Sequence, residues 1–363
     1  MPDGQRWVVV GLDNGATSNN ATVADASGRF LVDEMVETPS RVLEGPPAAI
    51  EALAEAFEDV LARAHVPSSW VRAVGLDTPG PASAAGVISL KGSTNFSQEA
   101  WHRFDIRRAL EIRLALPVVY LNDGNAAALY AHHVHFGADA SHRSSVSVVV
   151  GTGLGGGVVI AGRVVPGAAG MAGEVGHVPI PLDGLLDDGQ PRPVCNCGSV
   201  GDAESIASLG AIERNLLPFW LSRFDGHELG SKPLNEAAML VRSYGERGDP
   251  MALRIFEQQA IALGRLCSIV ANIVDPDAYF LGGGVVEAAP GFREWFLSTV
   301  RRHTVLRDEQ AQVAAFELVP QLDMAGARGS ALAALASLPR SLDVDADRLD
   351  GGHDQPTGTP RNA

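Results

Sequence analysis

Two glycine-rich turns constrain the fold of this 363-residue chain more than any other feature of its sequence. The first turn, "DNGATS", joins the apolar runs "WVVVGLD" and "NATVAD", and the second, "GTGLGGG", joins "SVSVVV" and "VVIAG" about 140 residues later. β-Branched residues fill these runs, as is typical of strands, and glycine permits the tight bends between them. The duplicated unit favours two similar α/β halves that face each other across a cleft.

Strands and helices alternate through the rest of the chain. Apolar residues recur at helical spacing in "PPAAIEALAEAFEDVLARA", whereas "FLVDEMVE", "VRAVGLDTPGP", "LPVVYLND" and "PDAYFLGGGVV" are predicted strands. Further helices are predicted in "AIERNLLPFWLSRF", "MALRIFEQQAIALGRLCSIVANIV" and "GARGSALAALASL". The predicted domains are an N-terminal α/β domain (1–121), a C-terminal α/β domain (122–325), a closing helix that packs back on the N-terminal domain (326–339) and a disordered tail (340–363).

Composition excludes several classes of function. A formal net charge of −15 argues against a protein whose whole surface binds nucleic acid. No apolar stretch approaches membrane-spanning length, and the N-terminus does not resemble a signal peptide. Three cysteines (Cys195, Cys197 and Cys267) cannot build a disulfide framework. We therefore expect a cytoplasmic protein that binds a small molecule and contacts neither nucleic acid nor membrane.

The glycine turns offer backbone N–H groups that can surround a phosphate. "GTGLGGG" contains G-x-G-x-x-G, but in a dinucleotide-binding fold this motif must open a helix, and here a β-branched run follows. An NAD-dependent oxidoreductase is therefore disfavoured, while two ordinary hairpins remain the plain alternative. The predicted phosphate contacts are Gly15, Thr17, Gly151, Thr152 and Gly153. Asp13 stands beside the first turn, where a carboxylate would hold Mg²⁺ through water.

Further motifs occur in an order that resembles the ROK family of bacterial sugar kinases and repressors. They are "PGP" at Pro79–Pro81, "NDGNAAAL" from Asn122, "AGEVGH" from Ala172 and "CNCGSVGDAE" from Cys195. The similarity extends from about Val8 to Leu338, and "AGExGH" followed by "CxCGxxG" is a specific combination.

The resemblance implies a duplicated actin/hexokinase-like (ribonuclease H-like) two-domain fold with a central cleft. Repressors of the family carry an N-terminal helix-turn-helix domain. Because the first turn begins about a dozen residues from Met1, the kinase branch is favoured.

The resemblance also implies roles for single residues. Asp123 is the expected general base, and Asn122 is expected to bind substrate hydroxyls. Further sugar contacts are expected at Asn95, Glu174, His177 and Glu204, and adenosine contacts at Gly282, Gly283 and Gly284. Taken alone, Asp123 could serve only the helix that follows, with Asn125 as the cap of that helix. Glu174 could likewise be a solvated carboxylate, and the three glycines a plain turn.

The cysteine motif resembles the zinc site of the family in a modified form. The family uses a histidine and three cysteines, and this chain offers His177, Cys195 and Cys197 with Asp202 in place of the third cysteine. A longer segment, "PLDGLLDDGQPRP", precedes the cysteines. Aspartate is an acceptable zinc ligand, so we expect a structural Zn²⁺. The alternative is a metal-free cysteine pair with Asp202 in solvent.

These features together predict an ATP-dependent, glucokinase-like enzyme that uses Mg²⁺ and phosphorylates a hexose or sugar-like polyol, and we expect a homodimer. Glucose is the first candidate, but Asn14 and Ala16 depart from the usual form of the first turn and leave an N-acetylated sugar or a cyclitol open. A non-catalytic sugar sensor is an alternative that the presence of Asp13, Thr17 and Asp123 argues against. Polyphosphate remains open as the donor. "AHHVHFG" is interpreted as an exposed helix end.

Overall fold

Two five-stranded sheets form the framework of the molecule. The computed structural model describes residues 7–80, 82–89, 96–285, 287–319 and 322–339. The first sheet contains β1 (Val8–Asn14), β2 (Ser18–Asp25), β3 (Val36–Pro39), β4 (Val71–Thr78) and β5 (Val118–Asn122). The second sheet contains β6 (Ser145–Val150), β7 (Leu154–Ile160), β8 (Arg163–Val164), β9 (Ala278–Gly283) and β10 (Ala315–Leu318). The predicted tail (340–363) and Asn95 lie outside the described residues.

The two sheets repeat one arrangement of strands. The strand order is β3-β2-β1-β4-β5 in the first sheet and β8-β7-β6-β9-β10 in the second. In each sheet a hairpin pairs the first two strands antiparallel. Two parallel strands then extend the sheet on the other side of the hairpin. The duplication predicted from the paired glycine turns is therefore confirmed.

Helices cover the sheets and connect them. They are α1 (Pro46–Arg63), α2 (Ile106–Leu114), α3 (Asp123–Phe136), α4 (Leu209–Ala211), α5 (Leu217–Arg223), α6 (Leu234–Glu246), α7 (Pro250–Ile273), α8 (Pro290–Arg302), α9 (Asp308–Val313) and α10 (Leu322–Ser337). A π-helical segment, Ile212–Leu216, connects α4 to α5. Within the described ranges, no helix combines the length and the apolar character that crossing a bilayer requires.

Each sheet buries an apolar core beneath its helices. In the first half, Leu53 and Phe57 of α1 pack with Leu12 and Leu76 of the sheet. Pro46 begins α1, where its missing N–H removes no helical hydrogen bond. In the second half, the long helix α7 supplies much of the buried surface. Two separate cores anchor the two sheets whose edges carry the candidate site.

Helix α10 packs closely against β1 and β4. A Cβ atom at Gly11 would lie 1.9 Å from the carbonyl oxygen of Ala327, and one at Gly75 would lie 1.9 Å from that of Ser330. Only glycine permits so close an approach of helix backbone to strand backbone. A Cβ atom at Gly329 of the same helix would likewise lie 1.8 Å from the carbonyl oxygen of Ala126 in α3. The domain limits at residues 121 and 325 stay a prediction.

Three local predictions were wrong. Of "FLVDEMVE", only Val36 onward is strand, because the exposed acidic residues Asp33 and Glu34 leave the sheet after a single bridge between Ala24 and Phe30. Asn122 caps α3 instead of Asn125, whose N–H it accepts at 2.8 Å.

The third concerns "AHHVHFG", which is not uniformly exposed. His132 is buried, with Nδ1 2.8 Å from the Ser145 hydroxyl and Nε2 2.8 Å from the Ala140 carbonyl oxygen. The side of α3 that carries His132 packs against the second sheet, so this histidine is a core residue with both ring nitrogens satisfied.

Candidate active site

Two aspartates lie side by side at the carboxyl ends of β1 and β4. Both strands contain the sequence "VGLD", and their parallel register pairs Asp13 with Asp77. Asn20 donates to Oδ2 of Asp13 at 3.1 Å, and Ser330 donates to Oδ2 of Asp77 at 2.8 Å. Because adjacent parallel strands end at the same edge of a sheet, register alone brings the two carboxyl groups together.

Asp77 is a functional candidate that the sequence analysis missed. Its side chain is fully buried, and Oδ1 accepts no hydrogen bond from a described residue. Burial, followed by the charge of Asp13, raises the pKa of Asp77 well above its usual range, and burial also raises the pKa of Asp13. Two such carboxyl groups at neighbouring strand ends repel each other when both are ionised, which favours a proton on one of them. The repeated "VGLD" is the signal that could have revealed this pair.

Asp123 opens α3 directly after β5. Its Oδ1 accepts the N–H of Gly124 at 2.8 Å. Next to it, Asn122 uses its side-chain oxygen as the N-cap and donates through Nδ2 to Oε1 of Glu174 at 3.4 Å. The structure therefore brings together three of the predicted site residues, Asn122, Asp123 and Glu174. They present two carboxylates, from Asp123 and Glu174, and the amide of Asn122, a combination that suits the recognition of sugar hydroxyls.

The environment of Asp123 suits a general base. Its side chain is exposed at the start of α3, but the surrounding protein still removes part of its solvation. Burial raises the pKa of Asp123 to about 6; the charges of Asp13 and Glu174 act in the same direction, and the bond from Gly124 opposes them. A carboxylate with this pKa is more basic than an ordinary aspartate and is still mostly ionised at pH 7.

The first glycine turn is closed by its own backbone. The N–H of Gly15 donates to the carbonyl of Ser18 at 2.9 Å, and a Cβ at position 15 would lie 2.8 Å from the same oxygen. The carbonyl of Thr17 accepts the N–H of Ser40 at 3.0 Å. The Thr17 side chain is exposed at the tip of the turn. The turn thus holds an exposed hydroxyl four residues after Asp13.

The second glycine turn is tied to the start of α4. The carbonyl of Gly151 accepts the N–H of Leu209 at 2.9 Å, and the carbonyl of Thr152 accepts the N–H of Gly210 at 3.0 Å. The N–H groups of Thr152 and Gly153 have no acceptor among the described residues. The turn is therefore fixed in place with two backbone donors unused, as a phosphate-binding turn requires.

The predicted adenosine-contact glycines lie at the same edge of the second sheet. Gly283 pairs with Val150 in the parallel register of β9 and β6, and Gly284 donates its N–H to the Val150 carbonyl at 3.1 Å. Gly283 has a φ of 94°, and a Cβ there would lie 1.9 Å from that carbonyl oxygen. Gly282 precedes it opposite Val149. The three glycines thus present backbone without side chains at the sheet edge that carries the second turn.

Glu204 connects the second turn to the cysteine motif. Its Oε2 accepts the N–H of Leu154 at 2.9 Å, and its Oε1 accepts the thiol of Cys195 at 3.1 Å. Oε2 also occupies the position that a side chain at residue 153 would need, 2.7 Å from an ideal Cβ there. Both oxygens of this predicted sugar contact are therefore engaged by protein groups.

The four predicted zinc ligands form one cluster. Their candidate ligand atoms, from His177, Cys195, Cys197 and Asp202, all lie within 4.8 Å of one another. Nδ1 of the histidine is 3.4 Å from Oδ2 of the aspartate and 3.7 Å from the sulfur of Cys195. The aspartate is fully buried, and its other oxygen accepts the N–H of Ser205 at 2.9 Å. The side chain therefore points into the cluster instead of into solvent, in spite of the lengthened segment before the cysteines.

The profile of the ROK family matches residues 9–337. This chain belongs to the ROK family. A glucokinase of Streptomyces coelicolor is 32% identical over 292 residues, which cover 77% of this chain and 82% of that protein. A putative xylose repressor of Caldicellulosiruptor is 27% identical over 298 residues, which cover 81% of this chain and 69% of that protein.

Solved structures of ROK proteins have the same fold. The ROK hexokinase of Thermus thermophilus is 34% identical with a TM-score of 0.71, over 91% of this chain and 98% of that one. A ROK glucokinase of Streptomyces griseus, solved with glucose and AMPPNP, is 28% identical with a TM-score of 0.61, over 90% of this chain and 99% of that one. The predictions of an actin/hexokinase-like fold and of a carbohydrate kinase are confirmed, whereas the roles of single residues stay predictions.

Proposed function

We propose that this ROK kinase transfers the γ-phosphoryl group of ATP to a hydroxyl of a hexose or sugar-like polyol, with glucose as the first candidate. The observation that carries the proposal is Asp123, a solvent-accessible carboxylate whose pKa is raised to about 6 beside Asn122 and Glu174. The glucokinase and hexokinase relatives support the substrate class. The AMPPNP complex of the Streptomyces griseus enzyme supports ATP as the donor.

In this proposal Asp123 accepts the proton of the attacking hydroxyl. As the sugar oxygen bonds to the γ-phosphorus, the bond from that phosphorus to the bridging oxygen breaks and ADP leaves. Asn122 and Glu174 hold neighbouring hydroxyls and so orient the attacking oxygen toward the carboxylate. Exposed His177 can add a contact through Nε2, because Nδ1 faces the cysteine cluster. Glu204 already accepts the Leu154 N–H and the Cys195 thiol, so a sugar hydroxyl would have to use the remaining lone pairs of its two oxygens.

Asp13 is the residue that would hold Mg²⁺, through water. Magnesium requires oxygen ligands, and the edge formed by Asp13 and Asp77 offers carboxyl oxygens beside the first turn. When bound, the ion neutralises charge on the phosphates. Asn20 keeps the Asp13 carboxylate in its position at the end of β1.

We also propose that the cysteine cluster holds one structural zinc ion. Two sulfur atoms, an imidazole and a carboxylate within 4.8 Å of one another fit the four-ligand sites that zinc prefers. The ion would stabilise the loop that carries Glu204. In the metal-free state, burial raises the pKa of the Cys195 thiol, which is consistent with the hydrogen bond that it donates to Glu204.

A screen of phosphoryl acceptors tests the proposed function. ADP release is measured with ATP and Mg²⁺ and with glucose, mannose, their N-acetylated 2-amino derivatives or a cyclitol, each against a sample without acceptor. We expect one hexose to stimulate ADP release and to yield a sugar phosphate by mass spectrometry. Inorganic polyphosphate in place of ATP tests the other donor. If no acceptor stimulates ADP release with either donor, the protein is a sensor and the proposal is wrong.

A further inference from the structure

An arginine beside the second glycine turn has no role in the site described so far. Arg214 lies in the π-helical segment that continues α4. A Cβ at Gly210 would lie 2.9 Å from Nη2 and 3.0 Å from Nη1 of this arginine, and 3.0 Å from the carbonyl oxygen of Thr152. The guanidinium and the glycine turn therefore flank the same residue. π-Helical segments are frequent at functional sites because they shift side chains out of the ordinary helical register.

The charge of Arg214 is not neutralised by the described part of the chain. The side chain is exposed, and no described carboxylate lies within ion-pair distance of it. Arg242, at the neighbouring Gly284, provides the contrast, because it pairs with Glu287 at 3.0 Å and with Glu246 at 3.8 Å. Of these two arginines at the second sheet edge, Arg214 is the one whose guanidinium is available to an anion.

The start of α4 cannot bind this anion by itself. Its first N–H groups already have acceptors, since Leu209 donates to Gly151, Gly210 to Thr152 and Ala211 to the hydroxyl of its cap, Ser208. Side chains in a helix lean toward its N-terminus, so a residue four positions after Gly210 reaches back over this end. The positive charge next to the turn therefore comes from a side chain and not from free helix N–H groups.

We propose that Arg214 binds a phosphate group of the nucleotide at the second turn. The inference rests on the proposed kinase function. A guanidinium presents paired N–H donors that match two phosphate oxygens, and the unused N–H groups of Thr152 and Gly153 lie on the turn that it flanks. The cation also offsets the repulsion between the nucleotide and the carboxylates of Asp13 and Asp123.

Calorimetric titration of variants tests this inference. The probes are AMPPNP with Mg²⁺, ADP with Mg²⁺, and adenosine, and the variants are Arg214→Ala and Arg214→Lys. Arg302→Ala is the matched control, because Arg302 is exposed on α8 and no described carboxylate pairs with it. We expect Arg214→Ala to raise the dissociation constant of AMPPNP roughly 10-fold or more, Arg214→Lys to raise it less, and adenosine affinity to stay the same.

Each outcome has a distinct meaning. Unfolding temperatures equal to that of Arg302→Ala show that the Arg214 variants are folded. The inference is overturned if Arg214→Ala binds AMPPNP as tightly as the control does, or if it loses adenosine affinity to the same extent. A wild-type protein that binds glucose but none of the three probes would contradict the proposed kinase function itself.

Discussion

The two strand-turn-strand units share a topology and differ in charge. At the paired strand ends of the first sheet stand Asp13 and Asp77, whereas the second sheet has Val150 and Gly283 at its paired ends. The first turn therefore lies beside two carboxyl groups, half-buried Asp13 and fully buried Asp77. The second lies beside the guanidinium of Arg214, which forms no ion pair with a carboxylate in the described part of the chain.

This difference shows how one duplicated scaffold can serve two tasks. In both halves, the parallel register places two residues next to each other at the same sheet edge. The residue type at that strand position therefore decides whether the edge carries carboxyl groups or lacks charged side chains. Carboxylates suit a cation and a proton, and glycines with a nearby arginine suit phosphate. We infer that the acidic edge serves the metal and the acceptor hydroxyl, while the glycine edge serves the donor phosphates.

The largest effect should come from removing the base at the acidic edge. Asp123→Asn keeps the shape of the side chain and the bond from Gly124, but it cannot accept a proton. Turnover should fall by about 10²–10⁴-fold, the usual contribution of a general base. Calorimetry with glucose and with AMPPNP should give dissociation constants close to those of the wild type. Near-normal turnover in this variant would remove Asp123 from the mechanism.

Acidification should inactivate the base at the acidic edge. Because the pKa of Asp123 is about 6 and the base acts as the carboxylate, turnover at saturating ATP should fall as the pH drops through 6. At pH 5 about one tenth of the carboxylate remains, so we expect an approximately tenfold decrease relative to pH 7. The nucleotide also titrates in this range, so residual turnover of Asp123→Asn is the control. An equal fall in that variant would assign the pH effect to another group.

Loss of the zinc ligands should have a smaller effect, transmitted through Glu204. Elemental analysis should find about one zinc ion per chain in the wild type and in Asp202→Cys, and little in Cys197→Ala. Because Glu204 follows the proposed ligand Asp202 by two residues and accepts the Leu154 N–H beside the second turn, Cys197→Ala should weaken glucose binding by roughly tenfold before it unfolds the protein. A wild-type protein purified without chelator and free of zinc would refute the site.

The smallest effect is expected at Asp77. Its pKa is raised, so the folded protein holds this proton more tightly than the unfolded chain does. The stability that results is complete below the ordinary pKa of aspartate and is lost as the pH rises toward the folded value. Asp77→Asn carries no such proton. Thermal unfolding at pH 5 and pH 8 should therefore show the wild type losing stability relative to Asp77→Asn at the higher pH; a parallel response of the two proteins would contradict this assignment.

Local sequence signals predicted most of the framework. Glycine turns between β-branched runs, the amphipathic helix α1 and the motif that ends in Asp123 depend on neighbouring residues, and they are visible in a single sequence. Helix α3 has no amphipathic pattern that sequence analysis could detect. It is covered on several sides, by α10 and by the second sheet, and so lacks one clear polar face.

The parts of the site that sequence analysis missed depend on tertiary placement. Asp77 is a functional candidate because the parallel register places it beside Asp13. Arg214 is one because a π-helical segment places its guanidinium over Gly210. The lengthened segment before Cys195 did not displace Asp202, because the hydrogen bond from Ser205 holds that aspartate facing the cluster. The repeated "VGLD" could have pointed to Asp77, but no local pattern places Arg214 over Gly210 or turns Asp202 toward the cysteines.

One measurement tests the division between the two edges most directly. AMPPNP is titrated into the wild type, Asp13→Ala and Arg214→Ala, each with and without Mg²⁺. Removing Mg²⁺ should weaken binding to the wild type and to Arg214→Ala by the same factor, and it should have little further effect on Asp13→Ala, whose metal contact is already lost. The account is contradicted if Asp13→Ala responds to Mg²⁺ as fully as the wild type does, or if Arg214→Ala no longer responds to it.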